Sequence, residues 1–176
     1  MTTQLFNQID QNNLWKDTLY LKRNEYVIHS EKTDSNLYYV DSGSLKISVF
    51  IENEEKIVRF GYQKNFITAL DSFITGEPTK FQIQALKKTV LKVISKSEYI
   101  DFMQKTEENT ALWNTILQQL ILQQLEREID LLTSSPEERY RRVLTRSPQL
   151  FQEIPHKYIA SYLRMTPETL SRLKKY

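Results

Sequence analysis

Seven side chains with hydrogen-bonding or charged heads crowd the closing stretch "IASYLRMTPETLSRLKKY": Thr166, Glu168, Thr169, Ser171, Arg172, Lys174 and Lys175. Glu168 and Arg172 are four apart, so on a helix they share one face. A carboxylate, a guanidinium and hydroxyls in that arrangement make directed hydrogen bonds. A carboxylate accepts from the cytosine amino group, a guanidinium donates to guanine O6 and N7, and hydroxyls reach phosphates.

Covalent chemistry has little to stand on. The chain has no cysteine, only three glycines, and only two histidines, His29 and His156, which fall in different predicted domains. That removes disulfides, a cysteine nucleophile, cysteine-held zinc or iron–sulfur clusters and a glycine-rich phosphate loop. Asp71, Glu77 and Glu98 show no acid/base spacing. His29, within "YVIHS", reads as a strand residue with a satisfied hydrogen bond. We expect no enzyme, no cofactor and no metal site.

The elements that must hold the closing residues are legible in part. Ile159, Leu163, Leu170 and Leu173 have helical spacing, and Ala160 is small, as two closely crossing helices require. Thr166 suits an N-cap with Pro167 at the first helical position. The pattern is helix, tight turn, helix: a helix-turn-helix whose second helix presents the seven residues to double-stranded DNA. An ordinary helical hairpin is the alternative. Upstream, Ser135 caps a helix begun by Pro136 with Glu137 and Glu138 in its first turn. Pro148 and Pro155 bracket a short element, "QLFQEI".

Before this lies "NTALWNTILQQLILQQLEREIDLL", about 24 residues and roughly 36 Å of helix without Gly or Pro. Apolar residues recur mostly every four, at Trp113, Leu117, Ile121, Leu125, Ile129 and Leu132, and Leu120 and Leu122 widen the face. Trp113, Leu117, Leu120, Ile121 and Leu125 are the expected interface of a homodimer, closed like a coiled coil. A core helix within one chain is the alternative. Residues 1 to about 20 suggest a short, weak helix. Between about 21 and 100 the period falls to two in "YVIHS", "NLYYVDSG", "SLKISVF", "KIVRFGY", "KFQIQAL" and "TVLKVIS". Turn residues separate these runs, which argues for an antiparallel barrel or jelly roll. "NFITALDSFITGEP" does not alternate and suits a helical turn. The fold class expected is α+β: an N-terminal antiparallel β-roll, a long dimerisation helix and a C-terminal helical domain with the helix-turn-helix. The boundaries are 1–107, 108–134 and 135–176.

Charge supports an anionic partner for the C-terminal part. Residues 137–176 carry nine Lys/Arg against four Glu, a net of +5, and the other 136 residues carry fifteen basic against eighteen acidic, a net of −3. A solvated helical surface is the plain alternative. No apolar run reaches the ~18 residues of a membrane span, and the start has no signal-peptide pattern. We expect a cytoplasmic protein without a membrane segment.

From about residue 15 onward the chain resembles the Crp–Fnr transcription regulators, in particular the cAMP-receptor-like branch of Bacteroidetes. "LYYVDSGSLKI" is similar to the family's strand–Gly–strand motif and "NFITALDSFITGEPTKFQIQAL" to its ligand cassette. "SSPEERYRRVLTRSPQLFQEIPHKYIASYLRMTPETLSRLKK" resembles its DNA-binding domain. The resemblance implies a cyclic-nucleotide-binding-like β-roll and a small-molecule effector held by Thr68, Ala69, Ser72, Thr79 and Lys80. It also implies a dimer helix that closes the pocket, and it allows RNA polymerase as a partner. It matches Glu168 and Arg172 to base-reading positions.

Three departures qualify it. Cyclic-AMP-binding members carry Gly-Glu and Arg-Ser pairs in the cassette. Here the first pair aligns with Ile67-Thr68 and the second, to within a residue, with Thr79-Lys80, so the ribose carboxylate and the forked Arg are missing. Lys80 offers a point charge only, and the expectation is weak cyclic AMP binding or none. Arg164 stands where many members have Gly, a place that favours positive φ. The family's β-hairpin wing is not found before Tyr176, so the second helix is expected to fray. The competing function is a dimeric ligand-sensing or protein-interaction module without sequence-specific DNA binding.

Overall fold

The period-two segments become strands because Val, Ile, Tyr and Phe fit a pleated, half-buried surface. In the computed structural model, which describes residues 2–174, eight strands form two four-stranded antiparallel sheets. The strands are β1 (Asp17–Leu21), β2 (Tyr26–Ile28), β3 (Leu37–Ser42), β4 (Ser44–Ile51), β5 (Glu54–Tyr62), β6 (Phe66–Ile67), β7 (Gln82–Ala85) and β8 (Thr89–Ile94). One sheet runs β1-β8-β3-β6 and the other β2-β7-β4-β5. Val40, Leu91 and Val93 from the first meet Leu45, Ile47, Ile83 and Ala85 from the second in one apolar core. The architecture is α+β: antiparallel sheets, then a long helix, then several short ones.

The helices are α1 (Thr2–Gln11), α2 (Leu70–Thr75), α3 (Lys96–Gln104), α4 (Glu107–Leu132), α5 (Pro136–Arg146), α6 (Leu150–Glu153), α7 (His156–Tyr162) and α8 (Pro167–Leu173). The chain divides into two compact units, residues up to 114 and residues from 115 onward.

Within the first unit the expected N-terminal helix ends early. α1 stops at Gln11 and Asp17 already opens β1, where five residues pair with β8. Leu5 and Ile9 are the buried residues of α1, and Phe6 stacks 4.4 Å from Tyr39. β6 is a two-residue strand inside the segment read as a helical turn; α2 supplies that turn immediately afterwards. The helical region after residue 95 is two helices, because α3 closes at Gln104 before α4 starts. Ser95 caps α3 by accepting from the Glu98 amide. His29 lies just past β2 and is exposed, with its ring stacked 4.3 Å from Tyr26, so it is not the hydrogen-bonded strand residue expected.

β4 departs from simple alternation: its first five residues are all buried. Leu45 and Ile47 join the core, while Lys46 and Ser48 are also buried. Burying an ammonium is tolerable only with a charged partner. Lys46 Nζ lies 2.6 Å from both oxygens of Glu55, which also accepts from Ser48 Oγ at 2.7 Å. Burial pushes the Glu55 carboxyl up, but Lys46, Ser48 and Gln82 together hold it below its ordinary value.

Two turns fix the path from β3 in one sheet to the β4–β5 hairpin in the other. Glu52 and Asn53 both take positive φ, the two-residue turn whose twist suits a hairpin. Gly43 turns β3 into β4 at φ +95°, and a Cβ there would lie 2.3 Å from Thr89 Oγ1 and 2.6 Å from Lys88 O. Only glycine satisfies both the angle and the close approach. Gly43→Ala should therefore lower the unfolding free energy of this unit by at least about 2 kcal/mol. Urea unfolding followed by tryptophan fluorescence reads it, since Trp15 and Trp113 both belong to the unit. An unchanged midpoint would show that the turn relaxes at no cost.

Candidate functional site

The cassette residues lie around α2 and the loop leading to β7. Thr68 Oγ1 donates to Asn36 O at 2.8 Å, and Ala69 is fully buried in the apolar core. Ser72 is fully buried, and its Oγ accepts from the Asp34 amide at 3.0 Å. Thr79 is fully buried; its N–H donates to Lys32 O and its carbonyl accepts from the Glu31 amide. Lys80 is exposed. The residue that joins several of these is Asp71. Its Oδ1 accepts from Thr79 Oγ1 at 2.7 Å and from the Ser72 amide at 2.8 Å, and its Oδ2 accepts from the Lys80 amide at 2.9 Å. Burial pushes the Asp71 carboxyl up, but these hydrogen bonds outweigh it and hold the group below its ordinary value. Acid/base spacing was the wrong test for Asp71. The better signal is an aspartate in the first turn of a short helix, eight residues before a threonine.

The apolar face of α4 is open in the single chain. Ile121, Leu122, Leu125, Ile129 and Leu132 are 61, 59, 50, 45 and 78 % exposed. Leu117 and Leu120 are half-buried. Trp113 is half-buried too, and its ring meets Tyr99 edge-on at 5.4 Å within the first unit.

In the second unit, Ser135 accepts from the Glu138 amide with Pro136 at the start of α5, and Thr166 accepts from the Thr169 amide with Pro167 at the start of α8. Between α7 and α8 the chain turns through Arg164 at φ +53°. The Met165 amide donates to Ala160 O and the Arg164 amide to Ser161 O, the paired bonds of a left-handed helix stop, here without glycine. Ile159, Ala160, Leu163 and Leu170 are buried beneath. Thr166, Glu168, Ser171, Arg172 and Lys174 are exposed and Thr169 is half-buried. The Glu168 amide and Thr166 hold the Glu168 carboxyl below its ordinary value, so it is an acceptor at neutral pH. Lys174 Nζ contacts His156 Nε2. Lys175 lies outside the described residues.

Part of the positive charge of this segment is paired within the chain. Arg142 and Arg146 pair with Glu126 and with Asp130, which is fully buried. Arg141 pairs with Glu137 one turn before it. Arg139 is buried, and its guanidinium donates to four backbone carbonyls: Thr133, Ser134, Leu163 and Arg164. The exposed cations at the turn and on α8 are Arg164, Arg172 and Lys174. A net charge summed over residues 137–176 hides this, because Glu126 and Asp130 lie outside that window.

Residues 18–106 match the family model of the cyclic nucleotide-binding domain. The chain belongs to that family. No curated protein matches it in sequence. Among solved structures, FixK2 from Bradyrhizobium japonicum is similar over 90 % of this chain and 82 % of its own, at 14 % identity and a TM-score of 0.74. The c-di-GMP-responsive global regulator CLP of Xanthomonas campestris is similar over 97 % and 90 %, at 15 % identity and a TM-score of 0.68. The catabolite activator protein of Thermus thermophilus is similar over 96 % and 81 %, at 18 % identity and a TM-score of 0.58. At such identities the likeness is one of fold.

Among the described residues of this cyclic nucleotide-binding domain chain, no group of three or more His, Asp or Glu side chains could hold a metal ion, and no helix is long and apolar enough to cross a membrane. Sequence reasoning missed Arg139 as it missed Asp71, since a buried arginine in "EERYRR" looks like its solvated neighbours. Replacing Arg139 by Met keeps much of the stem and strips four carbonyls, among them that of buried Leu163, of their donor. The second unit should lose about 3–5 kcal/mol, and Arg139→Lys should recover only part, because an ammonium cannot fork. Amide hydrogen exchange in α7 and α8 reports the loss. Wild-type protection in Arg139→Met would mean that the guanidinium does not hold these helices.

Proposed function

We propose that the chain is a dimeric, DNA-binding transcription regulator of the Crp–Fnr type. In this reading residues 1–107 are the sensor, 108–134 the dimerisation helix and 135–176 the helix-turn-helix domain. The observation that carries it is the α7–turn–α8 hairpin, which exposes Glu168 and Arg172 on one face of a capped helix. Glu168 accepts from a cytosine amino group and Arg172 forks to a guanine. Thr166 and Thr169 take phosphates, Ser171 offers a hydroxyl to a base edge or a phosphate, and Lys174 and Lys175 add attraction without sequence preference. The fold likeness to FixK2, CLP and the catabolite activator protein supports the same reading. The protein works in the cytoplasm, where DNA and RNA polymerase are its partners. The β-roll senses a small effector through Thr68, Ala69, Ser72, Thr79 and Lys80, and binds cyclic AMP weakly or not at all.

Two copies meet along α4, through Trp113, Leu117, Leu120, Ile121 and Leu125. The exposed stripe from Ile121 to Leu132 favours this, since an apolar face of that length calls for a partner. Leu117→Glu combined with Ile121→Glu places like charges in the seam, and light scattering should then report a monomer. A persistent dimer would put the interface elsewhere.

A two-fold dimer reads a palindrome with half-sites about 34 Å apart. The site is found by selection from random duplexes. On it Arg172→Ala should cost about 1–3 kcal/mol and relax the preference at one base, while Lys175→Ala should weaken all duplexes alike and lower the salt slope by about one unit. Equal loss on specific and random duplexes for Arg172→Ala would make Arg172 a phosphate contact only. If the wild type shows no salt-dependent binding at all, the chain is instead a dimeric sensing or interaction module.

A further inference from the structure

We propose that Asp71 is a built-in anion that sets the specificity of the cassette, turning it against effectors that present a negative charge there. The proposal rests on reading the α2–β7 segment as the effector cassette.

Three donors converge on one carboxylate: the Thr79 hydroxyl and the Ser72 amide on Oδ1, and the Lys80 amide on Oδ2. Two of these donors belong to fully buried residues. The remaining polar groups nearby are also committed to the chain itself. The Thr79 amide goes to Lys32 O, the Thr79 carbonyl to the Glu31 amide, and Ser72 Oγ to the Asp34 amide. Asp34 in turn accepts from the Tyr38 hydroxyl at 2.6 Å. The cation assigned to the cassette, Lys80, is exposed and brings only its backbone to the cluster.

An incoming phosphate meets two obstacles. The hydroxyl and the amide it needs are already bonded to a carboxylate, and that carboxylate repels it at short range. This is specificity by repulsion, which discriminates more sharply than a weakened attraction. An effector without an anionic group at this position is not penalised, so the class the cassette accepts carries no negative charge where it meets Asp71. Removing the carboxylate frees the Thr79 hydroxyl and the Lys80 amide together, and an external anion becomes their natural acceptor.

The test titrates inorganic phosphate and cyclic AMP separately into the full-length wild type, Asp71→Ala and Asp71→Asn, by calorimetry at constant ionic strength. Asp71→Asn keeps the size of the side chain and serves if the alanine variant does not fold. Wild type should take up neither anion in the millimolar range. The variants should bind at least one of them about tenfold tighter or more, and phosphate should raise the melting temperature of a variant more than that of wild type. Equal affinities in wild type and variants, including no binding by any of them, would overturn the proposal. Duplex binding measured on the same proteins reports separately on the transcription-regulator reading, because it can fail in all of them while the anion result stands.

Discussion

Every helix leaves its last carbonyls without partners, and buried carbonyls must find donors. In the second unit one side chain meets that demand for two helices at once. Arg139 takes Thr133 O and Ser134 O, beyond the end of α4, together with Leu163 O and Arg164 O, at the end of α7. Among the described residues no carboxylate pairs with this guanidinium; the partial negative charge at the helix ends takes that role. Because the group is planar and its donors form a rigid fork, it fixes distance and angle together. The turn that begins at Leu163 is therefore tied to the segment between α4 and α5, and the start of α8 follows from that turn.

The first unit solves similar problems by burying charge beside charge. Lys46 and Glu55 form a pair within the sheet, completed by Ser48 and Gln82. Asp71 is satisfied by neutral donors instead. Such groups contribute little net stability, since desolvation offsets most of the attraction. Their effect is on geometry: an unpaired member would be costly, so the strand register and the cassette loop are held to the arrangements that pair them.

What the sequence revealed and what it concealed divide by distance along the chain. Ser135, Thr166, Pro136 and Pro167 were legible as helix starts because a cap is made within three residues. Arg164 at positive φ was anticipated through the family resemblance, since many members carry Gly at that place. β1 was hidden because "DTLYL" is too short to announce a period, and its partner β8 lies about 70 residues away. β6, of two residues, had no pattern to find. The pairing of Arg142 and Arg146 with Glu126 and Asp130 spans up to 20 residues, so counting charge in a window left out the carboxylates that offset these cations. Arg139 is visible only when the carbonyls around it are known.

A helix of seven residues such as α8 has no independent stability, since nucleation alone exceeds what so few hydrogen bonds return. Its order must come from its surroundings. Thr166 satisfies one orphan amide at the start, Pro167 removes another, and buried Leu170 anchors the middle of the helix. The left-handed stop at Arg164 sets the direction in which the helix begins. These constraints act on the buried side and at the first turn, which leaves the exposed Arg172 side chain outside them. Side chains that the fold does not need, held on a helix the fold does position, are free to be chosen for recognition. In the proposed role the affinity of α8 for a base pair then depends on Arg139 as much as on Arg172, although Arg139 is buried behind the turn.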